Sequence, residues 1–492
     1  MAVSYVLVPA ALLALVSVRL LINWNKLRKA PGPILAGFTD LWRAYYQCNG
    51  RLREKVLELH AQHGPIVRYG VRCISISDPG VINVVYGSRA GFVSGDSYQV
   101  LLGYQNGKDV ASLVSMRDEK QHGVLRRSVT NAFTPTAALD YEKWIDVTIE
   151  ELLVSLAKKS TFDLTCMTLW YTMDASARFT LGRPLGCLAA EDDVDGMLQL
   201  IRDRLAHWSR WASYPWIERL VYRNSIFKPA SRSPFGMAAV AAASLKARTG
   251  RESAPKGGKE ADVAPDLLDR FLRASKDFPN ALDEPGIVGM LMSTISGAGD
   301  TTASVITAVL FYLLQNPATM KKLEAEFENN GIHGIPTYAE VSKLPYLNAV
   351  IREGMRVFTP GSHPMERIVP VGGAVIAGMY FPEGTTVGCM PSAVHLSKRV
   401  FGEDVHVFRP ERWLIDNPEQ LRLMEASHMG FSRGRRNCIG QNIAVLSMKK
   451  VLPALIMKFK LSLVDPDAPL DANYTAAVAV LGPVYVHSQI RG

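Results

Sequence analysis

The sequence predicts a mainly α protein with a minor β region, carried behind an N-terminal membrane-anchor helix. Three observations predict it. The stretch from Gly286 to Gln315 has Asp300 as its only charge, and thirty residues of helix run about 45 Å. A second apolar run, Ala2 to Ile22, has Arg19 as its only charge. From Arg367 to Met390 the chain turns rich in glycine and proline with short β-like segments, which fits small sheets rather than a large one.

Taken in order, Ala2 to Ile22 matches the roughly 20 residues that a membrane-spanning helix needs. Lys26, Arg28 and Lys29 follow the apolar run, whereas a cleaved signal peptide carries its cations before it. The positive-inside rule places those cations in the cytosol. Pro31-Gly32-Pro33 ends the helix. The expected organisation is residues 1–23 as anchor, 24–35 as a basic Pro-Gly-Pro hinge and 36–492 as one domain. Leu52 to His63 reads as a helix, and Ile66 to Ser77 alternates as a strand. Thr136 to Phe179 and Gly196 to Val221 are mostly helical in pattern, and Thr249 to Pro265 reads as a mobile surface loop. Gly286 to Gln315 has the length of a second span, but Gly297, Gly299 and Asp300 at its middle favour the central helix of a large core.

Composition narrows the class. The net charge of +9 comes from 55 basic and 46 acidic residues. No arginine-rich arm or nucleic-acid module accompanies it, so nucleic acid is not an expected partner. The six cysteines show no paired spacing, which excludes a disulfide framework and a zinc pattern.

The chemistry concentrates in Phe431-Ser432-Arg433-Gly434-Arg435-Arg436-Asn437-Cys438-Ile439-Gly440. A thiolate is a soft, electron-rich ligand suited to haem iron. Neighbouring cations and peptide N–H groups are expected to keep Cys438 deprotonated. Gly434 and Gly440 let the backbone approach a flat group. The run resembles the signature F-x-x-G-x-R-x-C-x-G of the cytochrome P-450 family at every fixed position. Most of the chain beyond residue 30 is consistent with that family, so the expected fold is the cytochrome P-450 fold. The resemblance implies haem b with Cys438 as its axial iron ligand, with Phe431, Gly434 and Gly440 around the cofactor and Arg436 as a cation for its propionates.

Three further motifs extend the resemblance. Gly297-Ala298-Gly299-Asp300-Thr301-Thr302 is similar to the family's A/G-G-x-D/E-T-T/S helix motif, with Ala298 where glycine is usual. It implies that Thr301 sits at the dioxygen side and that Asp300 supplies protons; the alternative for Thr301 is a bond back to its own helix. Glu353 and Arg356 share a helix face at i, i+3. Phe408-Arg409-Pro410-Glu411-Arg412-Trp413 resembles the family's downstream loop, so Arg412 is implied as their third partner in a network that braces the cysteine loop. Asp118 to Arg127 resembles the third helix of the family and nominates His122 and Arg126 for the haem propionates. Arg367 is nominated in the same way.

Trp208, Trp211, Tyr214 and Trp216 with Arg210 form an aromatic cluster. It reads either as a membrane-interface patch or as core packing. Phe92 to Val110, Thr359 to Met365 and Ala476 to Pro483 are implied to line the pocket, and their apolar or small residues fit a lipophilic substrate. Arg433, Arg435, Lys449 and Lys450 are expected to form a basic dock for an acidic electron donor. By resemblance that donor is NADPH-cytochrome P-450 reductase. The anchor and texture look eukaryotic and microsomal, similar to fungal pisatin demethylase-like members. The implied activity is NADPH- and O2-dependent oxidation of a lipophilic intermediate of fungal secondary metabolism (polyketide, terpenoid or alkaloid). The implied location is the endoplasmic reticulum membrane with the domain facing the cytosol. A haem-thiolate isomerase or dehydratase and a non-catalytic haem binder remain as alternatives.

Overall fold

The computed structural model describes residues 2–88, 90–224, 236–252, 265–361, 363–474 and 480–491. The first helix, Ala2–Lys26, is apolar and presents Leu15, Leu21 and Ile22 outward. The Arg68 guanidinium donates to the Asn23 and Trp24 carbonyls near the end of that helix, and also to Gly37 and Val71. This buried cation therefore fastens the entering chain to the domain. Gly32 is required where the hinge crosses, because a Cβ there would stand 2.1 Å from the Arg68 carbonyl oxygen.

The helix Leu52–His63 forms as expected and buries Leu52, Val56 and Leu59 against Val67, Tyr69 and Met390. The single strand expected over Ile66 to Ser77 is instead two strands, Ile66–Arg68 and Cys73–Ile76, paired antiparallel with Ile66 opposite Ile76. Tyr69 N–H reaches the Cys73 carbonyl at 3.0 Å and closes the turn. Every residue of both strands is buried, so the apparent alternation marks no solvent face. The hairpin joins a five-stranded sheet in the order Ile66–Arg68, Cys73–Ile76, Thr386–Cys389, Arg367–Ile368, Val93–Ser94. The expected β segments between Arg367 and Met390 are thus present.

Thr136 to Phe179 is mostly helical, but it contains a strand, Thr161–Asp163, paired with Tyr485–Ile490. A three-residue strand whose partner lies over 300 residues away leaves no local period to detect. Gly196 to Val221 holds the helices Met197–Trp211 and Pro215–Tyr222. Thr249 to Glu252, expected in a loop, end the helix Gly236–Glu252. The rest of that expected loop, up to 264, lies outside the described residues.

The helix Glu284–Gln315 is the axis of the core and packs along Leu164–Leu181. Its most apolar window is 72% buried, as a core helix should be. Small residues set the approach. A Cβ at Gly299 would stand 2.5 Å from Met173 Sδ, and one at Gly354 2.3 Å from a Val309 methyl. Hydroxyls lock the crossing: Thr168 and Thr307 meet at 2.6 Å, and Thr172 donates to the Gly299 carbonyl at 3.1 Å.

Candidate active site

The cysteine loop is held by its own backbone. Cys438 N–H donates to the Phe431 carbonyl at 2.9 Å and Asn437 N–H to the Gly434 carbonyl at 3.1 Å. Gly434 has φ +71°, and a Cβ there would stand 1.8 Å from the Tyr86 carbonyl oxygen. The loop is therefore pressed onto Tyr86 in a conformation that glycine alone adopts readily. Cys438 is accessible, at the floor of a concavity deep among protein atoms. Burial pushes its thiol upward, and the Gly440 N–H and the Arg126 cation offset this only in part. In the chain by itself, desolvation outweighs the neighbours that were expected to keep the thiol deprotonated.

A rigid brace stands behind the loop. Glu353 lies fully buried on the helix Pro345–Val357. Its oxygens accept from Arg356 Nε at 2.9 Å and Nη2 at 2.8 Å, and from Arg412 Nε at 3.1 Å. They also accept from Arg409 N–H at 2.9 Å and Trp413 Nε1 at 3.0 Å. Arg356 and Arg412 in turn donate to the carbonyls of Val405, Val407, Phe401 and Asp404. The sequence nominated Glu353, Arg356 and Arg412; it missed how they reach the cysteine loop. His395 is that link: Nδ1 contacts the Arg356 carbonyl and Thr359 hydroxyl, while Nε2 accepts Met429 N–H at 2.8 Å. Burial holds this imidazole well below its usual range, so it stays neutral and able to accept.

The central helix presents one open stripe within its buried length. Thr294, Gly297, Ala298 and Thr301 are accessible while Ile295, Gly299, Asp300 and Thr302 are buried. A Cβ at Gly297 would meet nothing within 4 Å. Thr301 Oγ1 donates to the Gly297 carbonyl at 2.5 Å, the back-bonded arrangement, which leaves its oxygen lone pairs free to accept. Asp300 faces the other way. Burial raises its pKa, the Arg202 cation opposes this, and Oδ2 has no hydrogen-bond partner. Thr165, Leu169, Arg202, Ala303 and Ser304 line the small cavity at Asp300.

Residues 36–486 match the cytochrome P450 family. The chain belongs to the cytochrome P450 family. It is 31% identical over 478 residues to the cytochrome P450 monooxygenase pkfB of Emericella nidulans, covering 96% of this chain and 93% of that protein. It is 32% identical over 458 residues to the cytochrome P450 monooxygenase mpaDE' of Penicillium brevicompactum, with 90% of this chain matched. The chain spans about half of that relative's length, 53%. A cytochrome P450 monooxygenase of Aspergillus terreus is 30% identical over 457 residues, covering 90% of this chain and 92% of its own. Family membership brings the enzyme class, monooxygenase, and a haem-thiolate cofactor.

The residues of this cytochrome P450 fit haem. Among the described residues no cluster of three or more His, Cys, Asp or Glu suits a metal ion. A single accessible thiol fits a metal that brings its own equatorial ligands, as porphyrin iron does. The groups nominated from sequence for the propionates also converge, as a neutral imidazole among arginines. His122 is buried, and burial together with Arg436, Arg126, Arg435 and Arg367 drives its pKa down to about 3. Arg126 donates to the Asn437 carbonyl at 2.8 Å and its Oδ1 at 2.6 Å, tying the helix Glu119–Val129 to the residue before Cys438. Arg367 is buried and donates to the Glu366 carbonyl at 2.8 Å. Arg436 does not point freely into the concavity. Its guanidinium pairs with Glu119 at 2.9 Å and donates to the Met116 carbonyl at 2.7 Å.

The substrate side is aromatic. Trp208 is buried and donates from Nε1 to the Ser97 carbonyl at 3.1 Å, so this member of the cluster is core. Trp216 is 66% exposed and keeps the interfacial reading. His363, which the sequence did not single out, lies 4.5 Å from the Trp208 ring and 6.2 Å from Tyr98. Neither of its ring nitrogens has a partner, and burial lowers its pKa to about 4. Residues 362 and 476–479 of the expected lining lie outside the described residues. The expected basic dock loses its two lysines, while Arg433 and Arg435 stay partly exposed. Lys450 is sealed and paired with Glu142 and Asp146, and Lys449 is buried with its Nζ 3.4 Å from the Ser342 carbonyl. Arg435 turns inward to Glu119 and the Phe92 carbonyl. These cations answer internal acids and carbonyls, which residue spacing does not reveal.

Proposed function

We propose that this chain is a monooxygenase that oxidises a lipophilic small molecule of fungal secondary metabolism, using NADPH-derived electrons from a membrane reductase. The carrying observation is the pairing of a braced, accessible Cys438 with an open stripe through Gly297 and Thr301 on an otherwise buried helix. When bound, haem b supplies dioxygen activation, and Cys438 is its ligand, with Phe431 and Gly440 beside the sulfur. His122, Arg126 and Arg367 would hold the propionates. The Glu353–Arg356–Arg412 brace steadies the cysteine loop through His395 and Met429. Thr301 would hold a proton at Oγ1, and Asp300, kept protonated to higher pH than an ordinary carboxylate by its burial, would resupply it by turning from its cavity toward the open stripe. Tyr98 and His363, backed by the buried Trp208, would form an aromatic wall that excludes water and favours apolar substrate.

The membrane reading is part of this proposal. The apolar Ala2–Lys26 helix supports an anchor, and exposed Ile34, Leu35, Leu41, Tyr45, Trp216 and Leu220 support further contact with the lipid surface. The endoplasmic reticulum, with the domain in the cytosol, is the location that suits this arrangement and the cations after the anchor.

The test is spectroscopic and then catalytic. The reduced carbon monoxide difference spectrum of the wild type should show the thiolate-type band, and Cys438→Ala should lose it. Substrate turnover should require both NADPH and reductase. Retention of the band in the variant, or turnover without electrons, would overturn the reading.

A further inference from the structure

The helix Glu119–Val129 carries three charged or titratable side chains on one stripe, Glu119, His122 and Arg126, at i, i+3 and i+7. All three face the segment just before Cys438. Arg126 grips Asn437, and Glu119 takes Arg436 Nε at 2.9 Å and stands 3.1 Å from Arg435 Nε. Glu119 also accepts Ser94 N–H at 3.2 Å, so three segments meet on one carboxylate. Its side chain is only 13% exposed. The neighbouring acid, Glu366, is already committed to Arg43, Tyr69 and Ser97. Glu119 is thus the counter-charge inside a cluster of four guanidinium groups. The proposed function asks only for those cations, and an acid among them is unexplained by propionate binding.

We propose that Glu119 is a positioning residue that holds Arg436 by a hydrogen bond to Nε and Arg435 by charge, and that it lowers the haem reduction potential by trimming the positive field of the arginine cluster. The inference rests on the reading that Cys438 ligates haem with its propionates toward this cluster. A nearby negative charge stabilises the ferric form, which carries one more positive charge than the ferrous form. A largely buried charge is screened little by salt, so the effect survives physiological ionic strength.

The experiment measures midpoint potentials of the full-chain holoenzymes by spectroelectrochemistry. E119Q should be more positive than wild type and R435Q more negative. The double variant should lie between the two single variants. A clamp that merely keeps the loop folded would move both single variants the same way, through haem exposure, and that result or two unmoved potentials would overturn the inference. Should E119Q not retain haem, the double variant decides: a potential above that of R435Q supports the proposal, and an equal or lower one refutes it. Absence of the thiolate-type band from wild type would instead refute the haem-thiolate reading itself, so the two failures are distinguishable.

Discussion

Asp300 shows how one residue carries opposing demands. Its carboxyl is buried on the central helix, Arg202 opposes the burial, and its pKa lies above the ordinary carboxylate value. The folded state therefore holds this proton more tightly than the unfolded chain does. That lowers stability once pH rises above the unfolded value of about 3.9, and the loss grows until the folded pKa is passed. Asp300→Asn should accordingly raise the melting temperature at pH 7, and the gain should vanish as pH falls below about 4 in a thermal-unfolding series. The same variant should slow turnover, because the amide cannot resupply protons. Arg202→Met removes the opposing charge, so the pH at which turnover declines should move upward. Motif spacing made Asp300 and Thr301 legible. Arg202 was not legible, because it lies on a different helix and meets Asp300 only through packing. Glu119 and His395 escaped for the same reason.

Helices convert such residues into a site by how closely they approach. Gly297 and Gly299 sit two residues apart on the Glu284–Gln315 helix and do different work. Gly299 lies against Met173, whereas Gly297 faces open space. Gly299→Ala should destabilise the protein by about 1–3 kcal/mol through overpacking, with partial rescue by Met173→Ala, as read by chemical denaturation. Gly297→Ala should stabilise the haem-free fold by about 1 kcal/mol, the helix-propensity gain, yet weaken haem incorporation if that space receives the cofactor. The Pro345–Val357 helix makes the second element-scale case. Glu353→Gln leaves Arg356 and Arg412 buried with a weaker partner, and breaking such a pair costs about 3–5 kcal/mol. The expected result is a lower denaturation midpoint and faster haem loss. The i, i+3 spacing of Glu353 and Arg356 was readable in sequence. The path onward through His395 to Met429 was not, since nothing local ties residue 395 to either end.

At the scale of the whole molecule, the entering helix and the outer helix Pro215–Tyr222 each expose apolar residues, which the membrane proposal assigns to one side. Arg68 fastens Ala2–Lys26 to the sheet, and Trp216 and Leu220 project from Pro215–Tyr222. If this side meets lipid, a protein lacking residues 2–22 should still sediment with phospholipid vesicles. Trp216→Glu with Leu220→Glu should cut that residual binding several-fold while leaving the folded spectrum unchanged. Residual binding unaffected by both charges would place the contact away from Trp216 and Leu220, and no residual binding at all would confine membrane contact to the first helix.

The sequence by itself determined the chemistry: a cysteine between glycines, a Gly-Asp-Thr helix motif and a Glu–Arg helix pair. Each of these is legible because its residues lie within one turn or one loop, where covalent spacing fixes their geometry. Tertiary structure alone decided which charges are spent internally. Lys450 closes on Glu142 and Asp146, Arg436 on Glu119, and Arg68 on carbonyls of the entering helix. A buried cation must find its partner wherever packing brings one, and sequence distance does not record where that will be.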